Sequence, residues 1–178
     1  EVISANDELR ELFIYNLTSV LLTNGYDGVD LDWEFPDSEY DRENLNLLVS
    51  EIDSIFNMIN PEWLISMAIP VTHWWGQWHD FEYLNNHIDF YNAMTYGTHG
   101  NWSSHAGHLS PLYPSPPGDP DGSCHSNMFY LHNTRGIPKN KINMGIPFWG
   151  INWQASNINE NFTGITSDIM YYDIPELI

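Results

Sequence analysis

The spacing of apolar positions changes period several times along the chain. Between residues 39 and 59, Leu45, Leu48, Val49, Ile52, Ile55, Phe56 and Ile59 recur on one stripe. That spacing predicts an amphipathic helix, which Asn60-Pro61 ends. Residues 7–23 predict another, with Leu9, Leu12, Phe13, Val20 and Leu21 roughly on one face and Asn6 or Asp7 as its cap. Between the two, residues 27–34 alternate with period two. Gly28, Asp30, Asp32 and Glu34 share one face, and Val29, Leu31 and Trp33 share the other. Leu64–Ile69 is a short apolar run stopped by Pro70, the pattern of a buried strand. Ile88–Tyr96 and Ile142–Ile146 predict two further strands. Residues 80–86 read as a helical turn, and 125–134 as a helix ended by Gly136 and Pro138. Beyond Phe148 the pattern weakens into a loop containing Trp149 and Trp153.

Helix followed by strand, repeated about four times, predicts an α/β fold with a parallel sheet and right-handed crossovers. Four strands alone fit an open α/β sheet. Residues 97–124 form a long irregular stretch rich in Gly, Ser, Pro and His. So long a loop in a compact domain is usually functional. No internal repeat is evident.

The strand 27–34 carries the candidate chemistry. Same-face neighbours on a strand lie about 6.5–7 Å apart. Three carboxylates at that spacing cannot all stay ionised cheaply, so one is expected to hold a proton near neutral pH. A carboxyl group held in that state can act as a general acid. A solvent-facing acidic strand is the plainer alternative. Asp is a poor strand former and the partner face is apolar, which weighs against it.

Asp27-Gly-Val-Asp-Leu-Asp-Trp-Glu34 matches the DxxDxDxE signature at all four acidic positions. It resembles the family 18 glycoside hydrolases, the chitinase-like family. Further segments follow in the family's order. Ser66-Met-Ala-Ile-Pro70 resembles its next barrel strand, and Met94-Thr-Tyr-Gly97 its MxYD motif. Asn143-Met-Gly-Ile-Pro-Phe-Trp-Gly150 resembles its GxPxYG strand, and Tyr171-Tyr-Asp-Ile174 the Y-x-E/D-I run after it. The resemblance implies a (β/α)8 TIM barrel of which this chain covers roughly strands four to seven. Residues 1–178 would then be a single partial catalytic domain of a longer protein, its missing strands supplied by the rest of that chain. Barrel active sites lie at the C-terminal strand ends, where Glu34, Pro70, Tyr96 and Pro147 are expected.

By resemblance, the activity is retaining, substrate-assisted hydrolysis of β-1,4-linked N-acetylglucosamine polymers such as chitin. Glu34 would be the general acid. Asp32 would hold the acetamide N–H of the −1 sugar, and Asp30 would tune Asp32 through a shared proton. Asp27 would support the start of the strand. Tyr96 would donate its hydroxyl to the acetamide carbonyl, and Met94 would pack beneath the −1 sugar. Barrel core is the plainer reading of Tyr96 and Met94. No metal or organic cofactor is implied. Two alternatives share this scaffold: a chitin-binding lectin-like protein with weakened catalysis, and an endo-β-N-acetylglucosaminidase acting on glycoprotein glycans. Glu34 argues against the first.

Three positions depart from the family pattern. Gly97 stands where MxYD has its acid, Trp149 replaces a Tyr, and Ile151 sits where many members have Arg. Trp74, Trp75 and Trp78 fall on a loop after the second strand. They offer flat apolar faces for sugar rings, or cover the barrel rim. Trp102 could line the aglycone side, whereas parity places Trp33 in the core. A long aromatic cleft favours a polymer and endo action.

His99, His105 and His108 fall within ten residues, a density compatible with zinc. Their local sequence resembles a non-metal loop of the same family, so no metal is expected there. Cys124 is alone, which excludes an internal disulfide, and no motif places a His to activate it.

Charge narrows the partners. Twenty-four acidic against five basic residues give a formal net charge of −19. Nucleic acid and anionic membranes would be repelled, and a neutral or cationic polysaccharide tolerated. No apolar run approaches the ~18 residues of a membrane span. The chain begins at Glu1 without a signal-like segment. The resemblance implies an extracellular protein whose signal segment lies outside this fragment. Asn16-Leu-Thr18, Asn101-Trp-Ser103 and Asn161-Phe-Thr163 fit the glycosylation sequon.

Overall fold

The structure is a computed structural model that describes residues 2–117 and 119–173. Its contacts divide the chain into two compact units, Glu1–Ala93 with Leu131–Asn143, and Met94–Tyr130 with Met144–Ile178.

The first unit opens with helix α1 (Asp7–Asn24), capped by Asn6, whose side chain accepts from the Leu9 amide at 3.0 Å. Strand β1 (Gly28–Leu31) follows, then helix α2 (Glu39–Ile59), capped by Ser38 through the Asp41 amide. Strand β2 (Leu64–Ile69) leads to two single-turn helices, α3 (His73–Gly76) and α4 (Phe81–Leu84), and then to strand β3 (Phe90–Ala93). Strands β1, β2 and β3 pair in parallel, with Asp30 opposite Ser66 and Ala68 opposite Asn92. Strand β4 (Ile142–Met144) completes a sheet of order β1-β2-β3-β4. Consecutive parallel neighbours joined through helices are what the sequence pattern predicts.

The core lies on one face of this sheet. Ile65, Met67 and Ile69 of β2 and Tyr91 and Ala93 of β3 are buried. So are Leu45, Val49, Ile52 and Phe56 on the apolar stripe of α2. Phe81 meets Tyr91 edge to face at 5.6 Å, and Phe56 meets Trp63 at 5.1 Å. Each such side chain removed from water contributes about 1.5–3 kcal/mol. Trp33 is half-buried beside Leu31, Leu45 and Met67, the core placement that parity predicts. The buried Arg10 guanidinium joins α1 to α2, bonding Glu51 at 2.9 and 3.0 Å, Asp7 at 2.7 Å and the Ser4 carbonyl at 2.8 Å.

The second unit contains the long irregular stretch and helix α5 (Cys124–Phe129). Ser123 and Ser126 exchange bonds there in a capping box. Cys124 is buried, its thiol 3.4 Å from the Thr95 carbonyl. After Phe148 the chain does not become a loop. It forms strand β5 (Trp149–Trp153), antiparallel to strand β6 (Ile165–Met170). Alternation is present in Trp149, Ile151 and Trp153, but a bulge at Asn152/Trp153 breaks the register. Trp153 Nε1 donates to the Gly107 carbonyl at 2.9 Å, tying the hairpin to the irregular stretch.

Other boundaries shift. Helix 125–134 is α-helical only to Phe129 and continues as a π-helical turn, Tyr130–Thr134. Strands predicted over 27–34, 88–96 and 142–146 end three, three and two residues earlier, at Leu31, Ala93 and Met144. Among the described residues, no helix is long and apolar enough to cross a membrane.

Candidate active site

Because β1 stops at Leu31, Asp30 is the last of the three acids held within the ladder. Its Oδ1 accepts from Ser66 Oγ on the adjacent strand and from Asn92 Nδ2, two strands away, at 2.8 Å. Asn143 Nδ2 extends the row by donating to Asn92 Oδ1 at 3.2 Å. Four adjacent strands of the sheet thus each present one polar side chain on the face opposite the core. Sequence reading singled out only Asp30. The signal for the others was a lone polar residue inside each short apolar strand: Ser66 in LISMAI, Asn92 in FYNA and Asn143 in INM.

Asp32 and Glu34 lie just beyond the strand and are exposed. Neither shares a side-chain hydrogen bond with the described residues, which leaves both carboxyl groups open to a ligand. Asp27 anchors the strand's start, its carbonyl accepting from the Leu64 amide at 2.9 Å. The Glu34–Phe35 peptide bond is cis, and the Phe35 ring stacks on Trp75 at 5.6 Å and 25°. Trp75 meets Trp74 edge to face at 6.5 Å, and the Trp74 ring is 73% exposed. Both ride on α3 rather than on a loop. Trp78 is half-buried. Glu34 is therefore followed directly by an aromatic ladder, Phe35, Trp75 and Trp74, whose last face is open.

Arg135 holds the base of this ladder. Its Nη1 donates to the Gly76 carbonyl and its Nη2 to the His79 carbonyl at 2.6 Å. Its guanidinium lies 4.9 Å from the Phe81 ring centroid. Burial pushes the His79 imidazole down to about 4, and the nearby Arg135 charge acts in the same direction.

The second unit holds Met94, Tyr96, Trp102 and Trp149. Met94, Tyr96 and Trp149 are half-buried. Thr95, between Met94 and Tyr96, is fully buried and fixed through both its polar groups. Its hydroxyl donates to the Gly145 carbonyl at 2.7 Å, and its carbonyl accepts from Ser110 Oγ at 2.6 Å. Gly97 has φ +68°, and a Cβ there would meet nothing within 4 Å. The departure from the family's acid thus sits on left-handed backbone, where glycine is the unstrained choice. Trp102 is 72% exposed, and its ring lies against Gly100, where a Cβ would fall 2.3 Å from Cη2. His99 and His105 come together with Asp119 and Asp121, whereas the His108 ring stays outside that group. Ile151 is half-buried on β5, and Ile174 lies outside the described residues.

Known proteins share this fold. The family model described as glycosyl hydrolases family 18 matches residues 1–177. Probable chitinase 10 of Drosophila melanogaster is 30% identical over 87% of this chain and 7% of its own length. The class V chitinase of Nicotiana tobaccum superposes with TM-score 0.89 at 24% identity, over 99% of this chain and 56% of that one. The chitinase-like agglutinin RobpsCRA from Robinia pseudoacacia does so with TM-score 0.86 at 23% identity, over 98% and 55%. This chain therefore spans about half the length of those solved structures and much less of the insect relative. Its parallel strands are a part, roughly strands four to seven, of a (β/α)8 barrel. From the signature acids, the strand order and the family match together, the chain belongs to the glycosyl hydrolases of family 18.

Proposed function

We propose that the protein hydrolyses β-1,4-linked N-acetylglucosamine polymers with retention, using the substrate's own acetamide as nucleophile. One observation carries this reading: Asp30 is fixed by Ser66 and Asn92 at the end of β1, and Glu34 follows it with an open carboxyl group. The protonated Glu34 gives its proton to the leaving glycosidic oxygen as the C1–O bond breaks. The acetamide carbonyl oxygen of the −1 sugar closes on C1 and forms an oxazolinium ion. Asp32 accepts the acetamide N–H and stabilises the developing charge, with Asp30 tuning it. Tyr96 directs the carbonyl. The Glu34 carboxylate then takes a proton from water, whose oxygen attacks C1 and reopens the ring. Met94 lies beneath the −1 sugar.

Trp74 and Trp75 extend the site as stacking faces, with Trp78, Trp102 and Trp149 as further lining. The Phe35, Trp75 and Trp74 ladder suits internal cleavage of a polymer outside the cell. Gly97 favours a second reading, a protein that binds chito-oligosaccharides and turns them over weakly or not at all. The agglutinin with the same fold is a precedent in name.

The test is hydrolysis of a fluorogenic chitotriose by the complete protein beside Glu34→Gln. Turnover lost in the variant, with oligosaccharide affinity retained, is expected. Undiminished turnover in Glu34→Gln sinks the mechanism. Absent turnover in the wild type, with tight binding of the same sugar, moves the assignment to the binding reading.

A further inference from the structure

We propose that His99, His105, Asp119 and Asp121 form a closed, tetrahedral site for a divalent transition-metal ion of the zinc class. One donor atom from each residue lies within 4.8 Å of all the others. His99 Nε2 is 3.2 Å from His105 Nε2, 3.2 Å from Asp121 Oδ2 and 3.4 Å from Asp119 Oδ2. His105 Nε2 is 3.5 and 3.9 Å from the same two carboxylate oxygens. A tetrahedral ion bound at about 2.0–2.1 Å sets its ligand atoms roughly 3.3–3.5 Å apart. Four of the five separations fall within about 0.1 Å of that edge length, and the fifth, His105 Nε2 to Asp121 Oδ2, is longer at 3.9 Å.

The surrounding bonds point the right atoms inward. His99 Nδ1 lies 2.9 Å from the His108 carbonyl, which can only accept. Nδ1 therefore carries the hydrogen, and Nε2 turns a lone pair toward the group. His105 Nδ1 is held 3.1 Å from Ser104 Oγ. Asp119 Oδ1 accepts from the Asp121 amide at 2.9 Å, leaving Oδ2 for the group. Asp121 Oδ2 is buried and accepts no hydrogen bond from the described residues. His99 and Asp119 are each 1% exposed.

An imidazolium network accounts for this less well. One Nε2 hydrogen reaches one acceptor, and every separation exceeds the roughly 2.7–2.9 Å of a charge-assisted bond. A central cation contacts all four atoms, and two carboxylates balance its charge. The sequence reading expected no metal here. The group takes two of the three nearby histidines plus two aspartates from the far end of the irregular stretch. With four protein ligands and no open position, the ion would act structurally, clasping residues 99–121. Gly107 serves the same geometry. A Cβ there would fall 2.1 Å from His99 Cδ2, so only glycine lets the ring occupy its place.

The test uses the complete, untagged protein, stripped with a chelator and titrated with Zn2+ and, separately, Co2+. About one ion per chain, a higher melting temperature and the intense visible bands of tetrahedral Co2+ are expected. Asp121→Asn keeps the side chain's shape at a residue that is 31% exposed, so its fold should persist. It should weaken Zn2+ binding at least tenfold, and Gly107→Ala should do likewise. Folded wild-type protein that takes up neither ion stoichiometrically overturns the proposal. So does an Asp121→Asn variant that binds with unchanged affinity and spectrum.

Discussion

Asn92 reaches across β2 to donate to Asp30, Nδ2 to Oδ1 at 2.8 Å, and Ser66 from the strand between donates to the same oxygen. A single carboxylate oxygen thus fixes the inner face of three strands. Hydrogen bonds to a charged group contribute about 1.5–3 kcal/mol each. Asn92→Ala should lower kcat roughly tenfold while moving KM less than about twofold, because Asn92 acts through Asp30 and not on the sugar. Ser66→Ala should behave alike. The double variant should lose less than the sum, since both donors serve one atom. Steady-state kinetics on the chitotriose substrate reads all three, and a change in KM alone would remove Asn92 from this role.

At Gly97 the backbone is left-handed, with open space where a side chain would project. Asp and Asn tolerate that conformation better than other side chains. Gly97→Asp should therefore fold with a loss of about 1 kcal/mol and raise kcat by restoring the family's acid. Gly97→Asn is the control, matching the backbone cost without the charge. Equal kcat in both variants would show that an acid at this position adds nothing.

His79 sets an acid limit on stability. Its folded value of about 4 lies below the ordinary 6.5, because burial disfavours the charged ring. As pH falls, the unfolded chain takes up this proton first. Stability from this group is complete above pH 6.5 and drains away as pH falls toward 4, by about 3 kcal/mol. His79→Phe keeps a ring to stack on Phe81, now 5.6 Å away, and removes the titration. The wild-type urea midpoint should fall relative to that of the variant as pH drops across that window. A constant gap would refute the assignment.

Much of this was legible because periodicity records burial. The α2 stripe gave Glu39–Ile59 with both ends correct, and Leu64–Ile69 was bounded by Pro70, which cannot extend a ladder. The acids were legible because Asp30, Asp32 and Glu34 stand two residues apart in the sequence, although only Asp30 lies within the strand. What escaped depends on contacts between distant segments. Ser66 and Asn92 look like tolerated polar residues until register sets Ser66 opposite Asp30 and Asn92 within its reach. Asp119 and Asp121 lie too far along the chain from His99 for spacing to join them. β5 escaped because it is a strand only through its antiparallel pairing with the distant β6, whose register shifts at Asn152/Trp153.

Arg135 offers the sharpest check on how the aromatic ladder is held. It forks to the carbonyls of Gly76 and His79, which bracket the segment just after Trp74 and Trp75. Arg135→Lys keeps the charge but cannot reproduce a planar fork stacked on Phe81. Arg135→Ala removes the donor to the His79 carbonyl and leaves the Gly76 carbonyl only the His79 amide at 3.2 Å, and should cost about 2–3 kcal/mol. Both variants should shift tryptophan emission to the red and weaken chito-oligosaccharide binding several-fold, with Lys in between. The loss should be smaller in a Trp74→Ala background, because a loosened platform matters only if its ring meets the sugar. Equal losses in the two backgrounds would separate Arg135 from the platform and leave it a purely structural clamp.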